Sequence, residues 1–166
     1  MNDRLNGRAV FAALVAAGLG LASAAMSAYW AAGGTGLLDT VGGKIERWGR
    51  ERSLAVILTL WVIIAVKLVG AAAPLVFAGV GAGQLPTWTK GRQARLMGWI
   101  AAVGLTLYGA VLTVVGLLVE AGVLAASDEA DERALAWHAY FWDPWFALWG
   151  AAFSAVMWYT RPRVSE

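Results

Sequence analysis

Four long apolar runs constrain this chain more than any other feature: Ala9–Ala32, Ser53–Ala82, Leu96–Val119 and Tyr140–Tyr159. Each reaches the roughly 17–25 residues that a membrane-spanning helix needs. Inside hydrocarbon there is no water for backbone N–H and C=O groups, so each run must satisfy them internally, as a helix does. The pattern predicts an all-α fold, a polytopic transmembrane four-helix bundle. It forms one membrane domain over residues 1–166, with spans near 9–32, 53–82, 96–119 and 136–159. Composition agrees, because 60% of the 166 residues are hydrophobic, 14% are charged and the mean hydropathy is +0.62. A short chain with so few charges cannot hide its apolar surface in one water-soluble core. Arg4, Arg8, the run Ala9–Leu21 and the small residues Ala22-Ser23-Ala24 resemble a secretory leader with its cleavage site. The run continues through Met26 and Ala28 to the interface anchor Tyr29-Trp30, which favours a retained first helix.

The connectors predict the topology. With four spans, one side of the membrane receives Arg4, Arg8, Lys90, Arg92, Arg95, Arg161 and Arg163, and the other Lys44, Arg47, Arg50, Arg52 and Arg133. Lys and Arg close to helix ends are retained on the cytoplasmic side, so both termini are expected there, in the cell membrane. Gly33–Arg52 is basic and glycine-rich, and near Ile45–Trp48 it fits either a short amphipathic surface helix or a plain loop. Gly83–Arg95 reads as a tight basic turn, and Glu120–Trp137 as an acidic loop with Asp128, Glu129, Asp131 and Glu132.

Small residues at four-residue intervals predict the packing. Ala12, Ala16, Gly20, Ala24, Ala28 and Ala32 mark a face on the first helix, and Gly98, Ala102, Thr106 and Ala110 one on the third. Such faces let backbones approach closely, and close packing is a principal force between helices in lipid. Packing within the bundle is favoured over a homo-oligomer contact. The Ala16, Gly20 and Ala24 face is expected to be buried, so that Gly20→Leu disrupts the fold and Ala13→Leu is milder.

Few residues can carry chemistry. Lys67 sits in the middle of the second run, where an ammonium is costly unless it turns inward to a partner. The expected partners are Asp143 first, Tyr108 second and Glu120 third. Asp143, in Trp142-Asp143-Pro144-Trp145, fits equally a helix cap or an ion pair with Lys67 or Arg133. His138, the only histidine, lies one turn before the series Trp142, Trp145 and Trp149. Of the ten tryptophans, Trp61, Trp142, Trp145 and Trp149 are candidates for the wall of an aromatic pocket. The absence of cysteine excludes thiolate metal sites and cysteine nucleophiles, and a lone histidine among carboxylates gives no metal site. No phosphate loop, dinucleotide fingerprint or nucleophile elbow is present. A formal net charge of +2 gives no reason to expect nucleic acid. Nothing in the sequence specifies a cofactor or a catalytic residue.

Tyr29-Trp30-Ala31-Ala32-Gly33-Gly34, Tyr108-Gly109 with Gly116, and the thirteen-residue stretch His138–Gly150 carry a likeness. Together they resemble a family of small bacterial four-span membrane proteins catalogued only as a domain of unknown function. The resemblance implies a membrane architecture and a bacterial origin, and it implies no activity.

Three functional classes follow, in order of preference. The first is a membrane protein that binds a lipid or small apolar ligand, or serves as an accessory subunit to another membrane protein. The second is an intramembrane enzyme acting on a lipid or isoprenoid through Asp143, His138 or Tyr108. The third is a small transporter or proton-coupled channel, acting as an oligomer, with Lys67 and Asp143 as a relay.

Overall fold

The computed structural model describes residues 6–82, 85–126 and 131–161. Six α-helices occur in them: α1 (Gly7–Ala31), α2 (Gly43–Glu51), α3 (Leu54–Ala78), α4 (Arg92–Glu120), α5 (Glu132–Trp137) and α6 (Asp143–Tyr159). A π-helical turn, His138–Trp142, joins α5 to α6 without a break. Short 3-10 turns lie at Leu38–Thr40 and Thr87–Lys90.

Local chemistry sets the boundaries. The Asn6 side chain accepts from the Arg8 amide, and Ser53 from the Val56 amide, capping α1 and α3. α3 stops at Ala78, short of the expected 82, because Gly79 takes a left-handed conformation (φ 74°) and the Val80 N–H turns back to the Leu75 carbonyl. The last helical segment begins at Glu132, ahead of the expected 136. The Asp131 carboxylate accepts from the Arg133 and Ala134 amides and starts it there. The acidic residues Asp128 and Glu129 lie outside the described residues. Of the two options open for Ile45–Trp48, the helix forms, as part of α2, and it exposes both Ile45 and Trp48.

Helix order in space differs from order in the chain. α6 packs against α4 and α1, and α1 packs against α3. The consecutive helices α3 and α4 share almost no contact. The core is built of small α1 residues (Ala9, Ala13, Ala16), Ala71 and Phe77 of α3, Ala102 of α4, and Trp149, Phe153, Val156 and Met157 of α6.

On α1, Ala16, Gly20 and Ala24 are buried as expected, but Ala32 is exposed and Ser27 and Ala31 take over the face. A row at every fourth residue drifts about 40° per step on a helix of 3.6 residues per turn, so a neighbouring helix leaves it after a few turns. Ala13 is fully buried, so a leucine there is no mild control. On α4 the buried residues are Gly98, Ala102, Gly109 and Gly116, with Thr106 and Ala110 only partly covered. Ala102, Gly109 and Gly116 recur every seven residues, close to two turns each, which keeps them on one side over about four turns. At Gly109 the helices meet backbone to backbone. A Cβ there would lie 2.6 Å from the Asp143 carbonyl oxygen and 2.8 Å from Ala147 Cα. At Gly150 a Cβ would lie 2.7 Å from Thr106 Cα.

Gly18 and Gly20 of α1 separate packing from intrinsic helix preference. A Cβ at Gly20 would meet Trp149 Cζ2 at 2.6 Å and Ala71 Cβ at 2.7 Å, whereas one at Gly18 meets nothing within 4 Å. Gly20→Ala is expected to cost about 1–3 kcal/mol, the range for overfilling a packed site. Gly18→Ala is expected to be neutral or slightly stabilising. Thermal unfolding of both variants in the same detergent checks the difference.

Three helices, α1, α3 and α4, are long and apolar enough to cross a membrane. Their outward faces carry exposed Phe11, Leu14, Leu58, Val62, Val66, Val69, Ile100, Leu107 and Val111. So much contiguous apolar surface is suited to lipid rather than water. The fourth expected span is the composite of α5, the π turn and α6, and α6 alone has 17 residues.

Candidate functional site: a lateral cleft and a polar clasp

Because α3 and α4 stand apart, a cleft of about 390 Å³ opens between them. Its walls are Val62, Ile63, Val66, Lys67 and Gly70 from α3 and Ala101 and Leu105 from α4, and its floor is Phe146, Trp149 and Phe153 from α6. Phe146, Trp149 and Phe153 follow 3- and 4-residue spacing, which places three rings on one face of α6. Trp149 is 3% exposed, its ring stacks on Phe146 at 6.3 Å, and its indole N–H has no partner among the protein atoms.

Lys67 turns inward, as the cost of a lipid-facing ammonium requires, but its partner is not Asp143. Its Nζ donates to the Ser27 hydroxyl at 2.8 Å and the Ser23 carbonyl at 3.3 Å, both on α1, and lies 5.8 Å from the Phe146 ring centre. The expected Lys67–Asp143 pair is absent because Asp143 is engaged elsewhere, and α1 supplies oxygens at the depth of Lys67. Ser23 and Ser27 are one turn apart and face the same way. In the sequence Ser23 figured only in the leader-like cleavage site and Ser27 was not singled out, so neither was expected as a partner of Lys67.

Asp143 is 4% exposed and forms a clasp with His138. His138 Nδ1–H donates to Asp143 Oδ1 at 3.1 Å, and Nε2–H donates to the Val41 carbonyl at 3.3 Å. Residues five apart do not face each other on an α-helix, where they are about 140° out of register. The π turn corrects this: the Asp143 amide bonds the His138 carbonyl in the i→i+5 pattern, and the wider turn brings the two side chains together. Pro144 follows directly, with no amide to give and a ring that would press on the carbonyl of residue 140 in a tight α-turn. Asp143 is therefore not a cap, since the helix begins eleven residues earlier. Arg133 pairs instead with Asp39, at 3.3 Å.

Both partners of the imidazole are acceptors, so both ring nitrogens must carry protons to satisfy them. This pair lies beside the connector Leu38–Thr40. Trp142 Nε1–H donates to Thr40 Oγ1 at 3.1 Å, fixing the same connector to the π turn. Further along, Trp145 Nε1–H donates to the Leu19 carbonyl of α1 at 3.1 Å. Trp30 Nε1–H donates to the Gly36 carbonyl at 2.9 Å, and the Gly36 amide donates to the Tyr29 hydroxyl at 3.1 Å.

The other sequence candidates stand apart. Trp61 is 55% exposed on α3 and does not join Trp142, Trp145 and Trp149. Those three serve different places: Trp142 the connector, Trp145 the α1 backbone and Trp149 the cleft. Tyr108 is exposed and meets Phe146 edge-on at 5.7 Å, with no hydrogen bond to Lys67 or Asp143. Glu120 is exposed at the end of α4. A Lys67–Asp143 relay is thus not assembled. A second space, about 530 Å³, lies between α2 and α3, lined by Trp30, Leu38, Ile45 and Trp48 among others. It is the underside of an amphipathic surface helix, and it lacks a buried cation.

A family model described as "Protein of unknown function (DUF3995)" matches residues 19–153. Comparison with curated proteins and with solved structures gives no match. The chain belongs to the DUF3995 family.

Proposed function

We propose, from membership in a family with no assigned activity, that this chain is a multi-pass membrane protein that holds a lipid or small apolar ligand in the cleft between α3 and α4. The cleft itself carries the proposal. It is a concave, almost wholly apolar site floored by three aromatic rings, with one charged group in its wall. Its opening lies between two helices whose outer faces suit lipid, so a ligand enters sideways from the bilayer. Four spans with both ends in the cytoplasm complete the reading. The unbroken helix from Glu132 to Tyr159 supports the fourth, since at 1.5 Å per residue it extends about 42 Å. The Lys and Arg count supports the orientation.

Two measurements test this. Native mass spectrometry of gently extracted protein is expected to find a retained small molecule, lost in Ala101→Phe. Ala101 is exposed on α4 in the cleft wall, so the added ring fills the cleft while leaving the α4–α6 seam alone. Retention unchanged by Ala101→Phe would remove the cleft from consideration. A reporter fused at the C-terminus is expected to show cytoplasmic activity only, and extracytoplasmic activity would reverse the orientation.

A further inference from the structure

We propose, resting on the reading that the cleft holds an apolar ligand, that this ligand is an amphiphile with an acidic head, a carboxylate or phosphate monoester on a hydrocarbon chain, and that the head pairs with Lys67. Three observations lead to this class. Lys67 is the single charged residue in the cleft lining. Its protein partners are a hydroxyl and a carbonyl, both neutral, and no carboxylate among the described residues lies within ion-pair distance of it. An ammonium has three protons and no acceptor capacity, and these two partners leave its charge unbalanced.

The second observation concerns polarity. No other lining residue has a charged or hydroxyl-bearing side chain. The site therefore offers the Lys67 ammonium as a donor and no side-chain acceptor, which selects a ligand with acceptor oxygens. The third is placement. Lys67 lies near the middle of α3, where the low dielectric makes an opposite charge far more effective than in water. Val62, Ile63 and Val66 on α3, with Ala101 and Leu105 on α4, leave an apolar channel for the chain. A weak acid suits such a site, because its head loses its proton to water at the membrane surface and the resulting anion supplies the opposite charge that Lys67 lacks.

The test uses full-length protein in lipid nanodiscs and three photoreactive probes of equal chain length: an alkyl carboxylic acid, an alkyl phosphate and an alkyl alcohol. Labelled peptides are mapped by mass spectrometry as probe concentration is varied. At least one acidic probe is expected to label α3, α4 or α6 peptides of the cleft at concentrations about ten- to a hundredfold below the alcohol, as a charge-assisted hydrogen bond implies. Which acidic probe does so identifies the head. Lys67→Met is expected to abolish the difference and Lys67→Arg to retain most of it. The acid-against-alcohol comparison in the unaltered protein stands even if Lys67→Met fails to fold. Equal cleft labelling by all three probes, sensitive to Ala101→Phe, would overturn the acidic head and leave the cleft reading in place. Labelling by every probe that ignores Ala101→Phe would overturn both.

Discussion

Gly109→Ala in α4 is expected to destabilise the protein by about 3 kcal/mol or more, at or beyond the upper end of the usual cost of overpacking. A single methyl group has this effect because of what it meets. The added Cβ would fall 2.6 Å from the Asp143 carbonyl oxygen and 2.8 Å from Ala147 Cα, so no side-chain rotation relieves it and two helix backbones must separate. Separation also disturbs the Gly150–Thr106 contact one turn away, where a Cβ would be 2.7 Å from Thr106 Cα. Gly104→Ala on the same helix, with nothing within 4 Å of its Cβ, is expected to be harmless. Apparent melting temperatures of the two variants in one detergent provide the measurement, and equal values would mean that α4 and α6 are not in backbone contact.

The second large effect is expected at the clasp, and it is asymmetric. His138→Leu leaves the Asp143 carboxylate, whose side chain is 5% exposed, without its cation. The expected cost is about 2–4 kcal/mol, somewhat below the range for breaking a fully buried pair because one side of the imidazole is open to solvent. Asp143→Leu costs less from the electrostatic term, since His138 keeps the Val41 carbonyl and access to water. The double variant is expected to be more stable than His138→Leu alone. A double-mutant cycle measures the coupling, and a value near zero would mean that the two groups do not interact.

Hydropathy was sufficient for the all-α class and for three helices long and apolar enough to span a membrane, because an apolar run in lipid leaves the backbone only internal hydrogen bonds. Side-chain partnerships were less legible. An unaccompanied lysine in an apolar run demands an inward partner, and Lys67 has one, but choosing among oxygens requires knowing which helices are neighbours. The carboxylate at Asp143 was the natural choice on charge alone. A π turn, whose only trace in sequence is Pro144 beside a run of aromatic residues, gave that carboxylate to His138 instead. The position of the cleft could not be read, although Lys67 and Trp149 in its lining were singled out, since consecutive helices ordinarily pack and α3 and α4 do not.

The motifs that carry the family resemblance have mostly structural work. Tyr29 and Trp30 hold the Gly33–Gly36 loop, Gly109 and Gly116 admit α6 and Ala139, and His138, Trp142 and Asp143 fasten the connector. Lys67 lies outside these motifs, so the architecture and the charged wall of the cleft are separable features of the sequence.

α3 leans on α1 and has almost nothing on its other flank. With 25 residues it measures about 37 Å, longer than the ~30 Å hydrocarbon layer, so as the proposed span it would tilt or protrude. In a thinner bilayer it tilts further, and hydrophobic mismatch acts most freely on a helix braced along a single side. The opening towards α4 would accommodate such a tilt, so in the proposed bilayer setting the width of the cleft would follow the thickness of the surrounding membrane.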